Sequence, residues 1–160
     1  MSRLAIVALR ILLVLVVVGL LCAQVIIIPI AGREFGEAFG SDAVGIFYTV
    51  VGIALVVCVE VALVAIWLLL SMVSRDAIFS SRAFRWVDVI IGAGLVATAL
   101  AIAVAVHMYL VIEPRLDAPG LIVLAGTGVL GAASFVALMI VMRGLLRSAT
   151  AMQGELAEVV

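Results

Sequence analysis

Residues 43–74 read AVGIFYTVVGIALVVCVEVALVAIWLLLSMVS, a run in which Glu60 is the one charged residue. About 20 apolar residues in a helix cross the ~30 Å hydrocarbon layer of a bilayer. Lipid offers no water to bond free backbone groups, so a lone spanning segment has to be helical. Three further stretches pass the same test, each free of charge: Ile11–Ile30, Val89–Ile112 and Leu121–Met142. The sequence thus predicts an all-α integral membrane protein of four antiparallel helices, with spans at about 7–30, 44–72, 89–112 and 121–142. Short connections predict a compact bundle. Residues 1–160 form a single transmembrane domain, and 143–160 a cytoplasmic amphipathic tail.

Composition excludes the soluble alternative. Hydrophobic residues make up 68% of the chain and charged residues 12%, against roughly 45–50% and about 25% in soluble domains. A net charge of −1 gives no field to recruit nucleic acid. The first span is too long for a signal-peptide core of roughly 7–15 residues, and Leu21 before Cys22 does not fit a lipoprotein cleavage site. It is expected to stay as an uncleaved helix. Cys22 and Cys58 fall inside apolar runs and read as small hydrophobes.

Arginine counts set the expected orientation. Arg3, Arg10, Arg75, Arg82, Arg85, Arg143 and Arg147 fall on one side, and Arg33 and Arg115 on the other beside several acids. Seven against two places both termini in the cytoplasm of a bacterial cell. Tyr48 and Tyr109 would then mark the outer interface, and Trp67 and Trp86 the inner one. Arg10 would snorkel to the inner headgroups.

Small residues predict where helices approach. Ala93, Ala97, Ala101 and Ala105 share one face of span three, and Gly128 and Ala132 form a small pair in span four. The same span holds Gly126, Gly128 and Gly131 in a GxGxxG spacing. A dinucleotide site would need a βαβ unit and an acid about 20 residues on. No acid lies between Gly131 and Glu155, so these glycines read as a helix-packing surface.

Three polar residues break the apolar pattern and are the candidate intramembrane site: Glu60, Thr98 and His107. Glu60 sits near the midplane, where an ionised carboxylate costs ~3 kcal/mol on insertion scales. A neutral carboxyl would be a hydrogen-bond donor. Two roles fit it: a structural hydrogen bond to Thr98, Thr127, Ser134 or a backbone carbonyl, or an ion or proton site. His107, the sole histidine, lies ~8 Å from the outer end of span three and Glu60 ~25 Å from that of span two. A direct pair is not expected. His107 reads as an interfacial polar residue, and Gln24 as a helix-to-helix hydrogen bond. No catalytic constellation, metal cluster or cofactor motif is present in the sequence.

On the cytoplasmic side, Arg75, Arg82 and Arg85 read as topology determinants with attraction for anionic lipid. Ser80 or Ser81 could cap the third helix. Beyond span four, Leu145, Ala149, Met152, Leu156 and Val159 recur at helical spacing, while Arg147, Glu155 and Glu158 lie off that stripe. The fourth helix is expected to continue as an amphipathic segment, loosened at Gly154. Leu145, Met152, Leu156 and Val159 are the candidate partner-binding residues. The occupant of that stripe is the membrane surface, the protein itself, a second copy or another protein.

The stretch Ile78-Phe79-Ser80-Ser81-Arg82-Ala83-Phe84-Arg85-Trp86-Val87-Asp88 and the tail Gly154-Glu155-Leu156-Ala157-Glu158-Val159-Val160 resemble the YoaS-like bacterial membrane proteins, a family of unknown function. The likeness covers nearly the whole chain in topology. It implies a regulatory or stress-related membrane role beside small helix-turn-helix regulators, and supplies no catalytic residue. Together the residues favour a non-enzymatic membrane component that binds a protein partner. The alternative is a small transporter or proton-linked permease subunit using Glu60.

Overall fold

The computed structural model describes residues 3–73, 81–116 and 119–158, with backbone alone at 3, 5, 73, 81, 82, 116 and over 149–158. The described residues form four long helices and no strand. They are α1 (residues 3–39), α2 (Asp42–Val73), α3 (residues 81–116) and α4 (Pro119–Glu158). Each contains a segment long and apolar enough to cross a membrane: Ile6–Phe39, Asp42–Met72, Ala83–Arg115 and Pro119–Ser148. The helices overrun the apolar stretches at both ends. Arg33, Glu34 and Glu37 therefore stand on the last turns of α1 rather than in a loop.

α1 and α2 are joined by a two-residue turn. Gly40 adopts φ 60, a left-handed conformation open to glycine at no steric cost. Its N–H donates to Glu37 O, and the Ser41 N–H donates to Gly36 O at 3.0 Å. These two bonds satisfy carbonyls that the end of α1 leaves free. Ser41 O then accepts from the Val44 and Gly45 N–H groups as α2 begins.

The helices pack in chain order, α1 on α2, α2 on α3 and α3 on α4. Among the described residues no Cα of α1 comes within 8 Å of α3 or α4, and none of α2 comes within 8 Å of α4. The bundle is therefore open, not compact as its short connections predict. Short loops fix neighbours; closing α4 onto α1 needs an apolar driving force that lipid does not supply. The core is thin and runs along the seams, with Val51, Ala65 and Leu70 of α2, Ala83, Val87 and Ile90 of α3, and Val136 of α4 buried.

Glycine sets the two closest seams. Gly32, Gly36 and Gly45 bring α1 and α2 together near the Gly40 turn: a Cβ on Gly45 would stand 2.6 Å from Gly32 O and 3.1 Å from Gly36 Cα. A Cβ on Gly94 of α3 would meet Val136 Cγ2 of α4 at 2.8 Å. The predicted alanine face of α3, residues 93, 97, 101 and 105, is half-buried throughout. Among the described residues nothing packs on the predicted glycine surface of α4. Gly128 and Gly131 are exposed, and a Cβ on Gly126, Gly128 or Gly131 would meet nothing within 4 Å. α4 turns Val136 to α3 instead. Its backbone remains helical through Gly154, so no break occurs there. Of the two proposed caps, Ser80 lies outside the described residues, and Ser81 opens α3 with its side chain outside them.

Candidate functional site

Two prolines place the polar residues. Pro29 has no N–H, and its ring presses on the carbonyl four residues back. α1 answers with one wide turn of π-helix at Ala23–Ile27, ending two residues before the proline. α3 repeats the device at Met108–Ile112, two residues before Pro114. Wide turns of this kind shift helix register and recur at functional sites. Gln24 lies within the first, and His107 immediately precedes the second.

Gln24 Nε2 donates to Glu60 Oε2 at 3.1 Å, linking α1 to α2. The expected interhelical role of Gln24 is thus realised, while the partners expected for Glu60 are not. Thr98 Oγ1 donates to Gly94 O at 2.8 Å and Thr127 Oγ1 to Val123 O at 2.7 Å, each within its own helix. A threonine hydroxyl reaches the carbonyl one turn back at little entropic cost, which takes both away from Glu60. Ser134 is exposed. Glu60 Oε1 is buried and has no partner.

Toward the far end of the same helix pair, the Arg10 guanidinium carbon stands 5.5 Å over the Trp67 ring. That distance is within cation–π range. Arg10 Nε is buried without a hydrogen-bond partner, so the indole face is the contact seen for this cation. Below the glycine seam α1 and α2 part, and Leu13, Val17, Leu63 and Trp67 line an apolar cleft of about 280 Å³ between them.

His107 closes the seam between α2 and α3. Its Nδ1 lies 3.0 Å from Tyr48 Oη, with one group donating and the other accepting. Phe47 stacks on the imidazole with centroids 4.7 Å apart. Phe35 of α1 packs on Tyr48 at 4.9 Å, so three helices meet in one aromatic cluster. At the opposite end Arg143 of α4 grips Asp88 of α3 through Nε at 2.7 Å and Nη2 at 3.1 Å.

The structure therefore keeps Glu60, Thr98 and His107 apart, each with its own partner. Among the described residues no group of three or more His, Cys, Asp or Glu side chains could hold a metal ion. Leu145 is exposed on α4. Met152 and Leu156 lie on described helical backbone, their side chains outside the described residues, as is Val159 entirely. Sequence reasoning missed the Gly32, Gly36 and Gly45 crossing, although Gly32 and Gly36 carry the same four-residue spacing read in span four. It also passed over Pro29 and Pro114, the signals for the two wide turns.

A family described as a protein of unknown function, DUF2975, matches this chain over residues 3–160. No curated protein and no solved structure matches it.

Proposed function

The chain belongs to the DUF2975 family of unknown function, and from that premise we propose a non-enzymatic multi-pass membrane component that binds a protein partner through α4 and its tail. One observation carries this reading. α4 runs 40 residues, far beyond its apolar stretch, and among the described residues it packs against α3 alone. Its outward side is left with Leu124, Leu130, Leu138 and Leu145 exposed. The stripe Leu145, Met152, Leu156 and Val159 would continue that side into the cytoplasm. The YoaS-like resemblance of the tail supports a regulatory role for the contact. The Arg distribution supports both termini lying in the cytoplasm of a bacterial cell, with the multi-pass domain in its membrane.

Crosslinking in native membranes, with and without residues 143–160, tests the reading. Loss of a specific crosslinked partner on truncation is the expected result. An unchanged crosslinking pattern would remove the tail from any binding role.

A second reading rests on Glu60. Its Oε1 is buried and without a partner, and intramembrane acids mark ion and proton paths in other proteins. In this reading the chain is a subunit of a proton-linked permease. Liposome flux that disappears in Glu60→Gln supports it; equal flux in both forms, or none in either, counts against it.

A further inference from the structure

α1 and α2 form a second cleft beside the Gly40 turn, independent of the α4 surface. Pro29, Gly32, Arg33, Gly36 and Glu37 line it from α1. Asp42, Gly45, Ile46, Thr49 and Val50 line it from α2. Each set follows the i, i+3, i+4, i+7, i+8 rhythm of one helix face. The cleft measures about 480 Å³, within the roughly 300–1,000 Å³ usual for ligand sites.

Its floor is the buried glycine crossing of Gly32, Gly36 and Gly45, where the missing side chains let the two helices come into contact. Its mouth carries one cation, Arg33, and two anions, Glu37 and Asp42. All three are exposed, and among the described residues none is paired with another protein group. Arg33 and Glu37 stand one turn apart on the same helix, a spacing that favours an ion pair, yet none forms. Below the mouth the wall is apolar and faces the bilayer, with Ile46 63% and Val50 59% exposed. Val50 lies eight residues past Asp42, ~12 Å deeper along the helix. The charged mouth thus stands at the edge of the hydrocarbon layer, where headgroups lie, and the wall descends along the acyl chains.

We propose that this cleft binds a glycerophospholipid with a primary-ammonium headgroup, of the phosphatidylethanolamine type. The Arg33 guanidinium takes the phosphate through its forked N–H donors. The headgroup ammonium donates to the Glu37 and Asp42 carboxylates. One acyl chain lies along Ile46 and Val50. The mouth holds two negative charges against one positive, so an anionic headgroup without an amine is repelled. A quaternary choline headgroup has no N–H to donate and loses those bonds.

Native mass spectrometry of the full chain, purified with equal amounts of ethanolamine, choline and glycerol phospholipids, tests the assignment. Wild-type protein should retain the ethanolamine lipid at least about tenfold over the glycerol lipid, the ratio that one of its two charge-assisted hydrogen bonds would set alone. Arg33→Gln should lower retention of the ethanolamine lipid. Glu37→Gln with Asp42→Asn should abolish its advantage and admit the glycerol lipid. Helical circular dichroism reports whether each variant folds. Equal retention of the three lipids by wild-type protein overturns the proposal without reference to any variant. Unchanged selectivity in folded variants overturns it too. Soluble phosphoethanolamine displacing the lipid as well as the lipid displaces itself would overturn the bilayer as the source.

Discussion

A methyl group placed on Gly45 of α2 would lie 2.6 Å from a backbone oxygen of α1, whereas on Gly128 of α4 it would meet nothing within 4 Å. Both glycines sit in long apolar helices, Gly45 facing the four-residue pair Gly32 and Gly36, and Gly128 forming such a pair with Ala132. The difference is in what crosses them. The two-residue turn at Gly40 and Ser41 holds α1 beside α2, and there the backbones approach to glycine distance. α4 is held to α3 by a glycine of the other helix, Gly94. Its own Gly128 and Gly131 are exposed. A small residue permits close packing in lipid, but the partner backbone decides whether the permission is used.

The largest expected effect follows from the α1–α2 side. Gly45→Ala forces backbone against backbone, which no rotamer change relieves, and overpacking of this kind costs about 1–3 kcal/mol. Gly36→Ala should cost less, since its new contacts lie at 3.3–3.5 Å. Reversible unfolding in micelles ranks the two. A Gly45→Ala midpoint equal to wild type would mean that the seam is looser than these distances require.

Next in size is the polar link across the same pair. Gln24→Leu strips Glu60 of the one hydrogen bond it makes and should cost about 1 kcal/mol, the scale of interhelical bonds in membranes. Glu60→Gln keeps an amide in reach of Gln24 and should leave stability near wild type. A double-mutant cycle of Gln24→Leu with Glu60→Leu measures the coupling; a value of zero would show that the pair contributes nothing.

The spans were legible because lipid imposes a crude and uniform rule on length and polarity, and residues 43–74 satisfy it without ambiguity. The partner of Glu60 was not, for a reason of register. Depth arithmetic at 1.5 Å per residue assumes one unbroken helix, and the wide turns at Ala23–Ile27 and Met108–Ile112 break that assumption on two of the four helices. Thr98 looked available because its hydroxyl could reach across, and its own helix claimed it first. The Tyr48 partner of His107 depended on the α2–α3 seam, which no local pattern encodes. The open order of the helices was likewise invisible, since it depends on a contact between α1 and α4 that does not form among the described residues.

Tyr48→Phe probes that second seam with a smaller expected effect. It removes the 3.0 Å hydrogen bond to His107 but keeps the ring that packs on Phe35. The cost should fall near 0.6 kcal/mol, the mean for such bonds in a membrane protein. His107→Phe leaves the Tyr48 hydroxyl unpartnered beside an aromatic ring and should cost at least as much. Equal stability of all three forms would assign the hydroxyl no part in holding α2 to α3.

The smallest stability effect belongs to the outward glycines of α4, and it is the most useful for function. Gly128→Leu and Gly131→Leu add side chains where the chain offers no neighbour, so the unfolding midpoint should hold or rise slightly, because glycine is the poorer helix former by about 1 kcal/mol in water. The same substitutions would block any partner backbone that docks there, whether a second copy or another protein. If α4 is the docking helix, crosslinking in native membranes should fall while stability does not, separating a surface kept free for a partner from one that merely faces lipid. Crosslinking that survives both leucines would move the docking surface off this face of α4 and leave the tail beyond Arg143 as the remaining place for it.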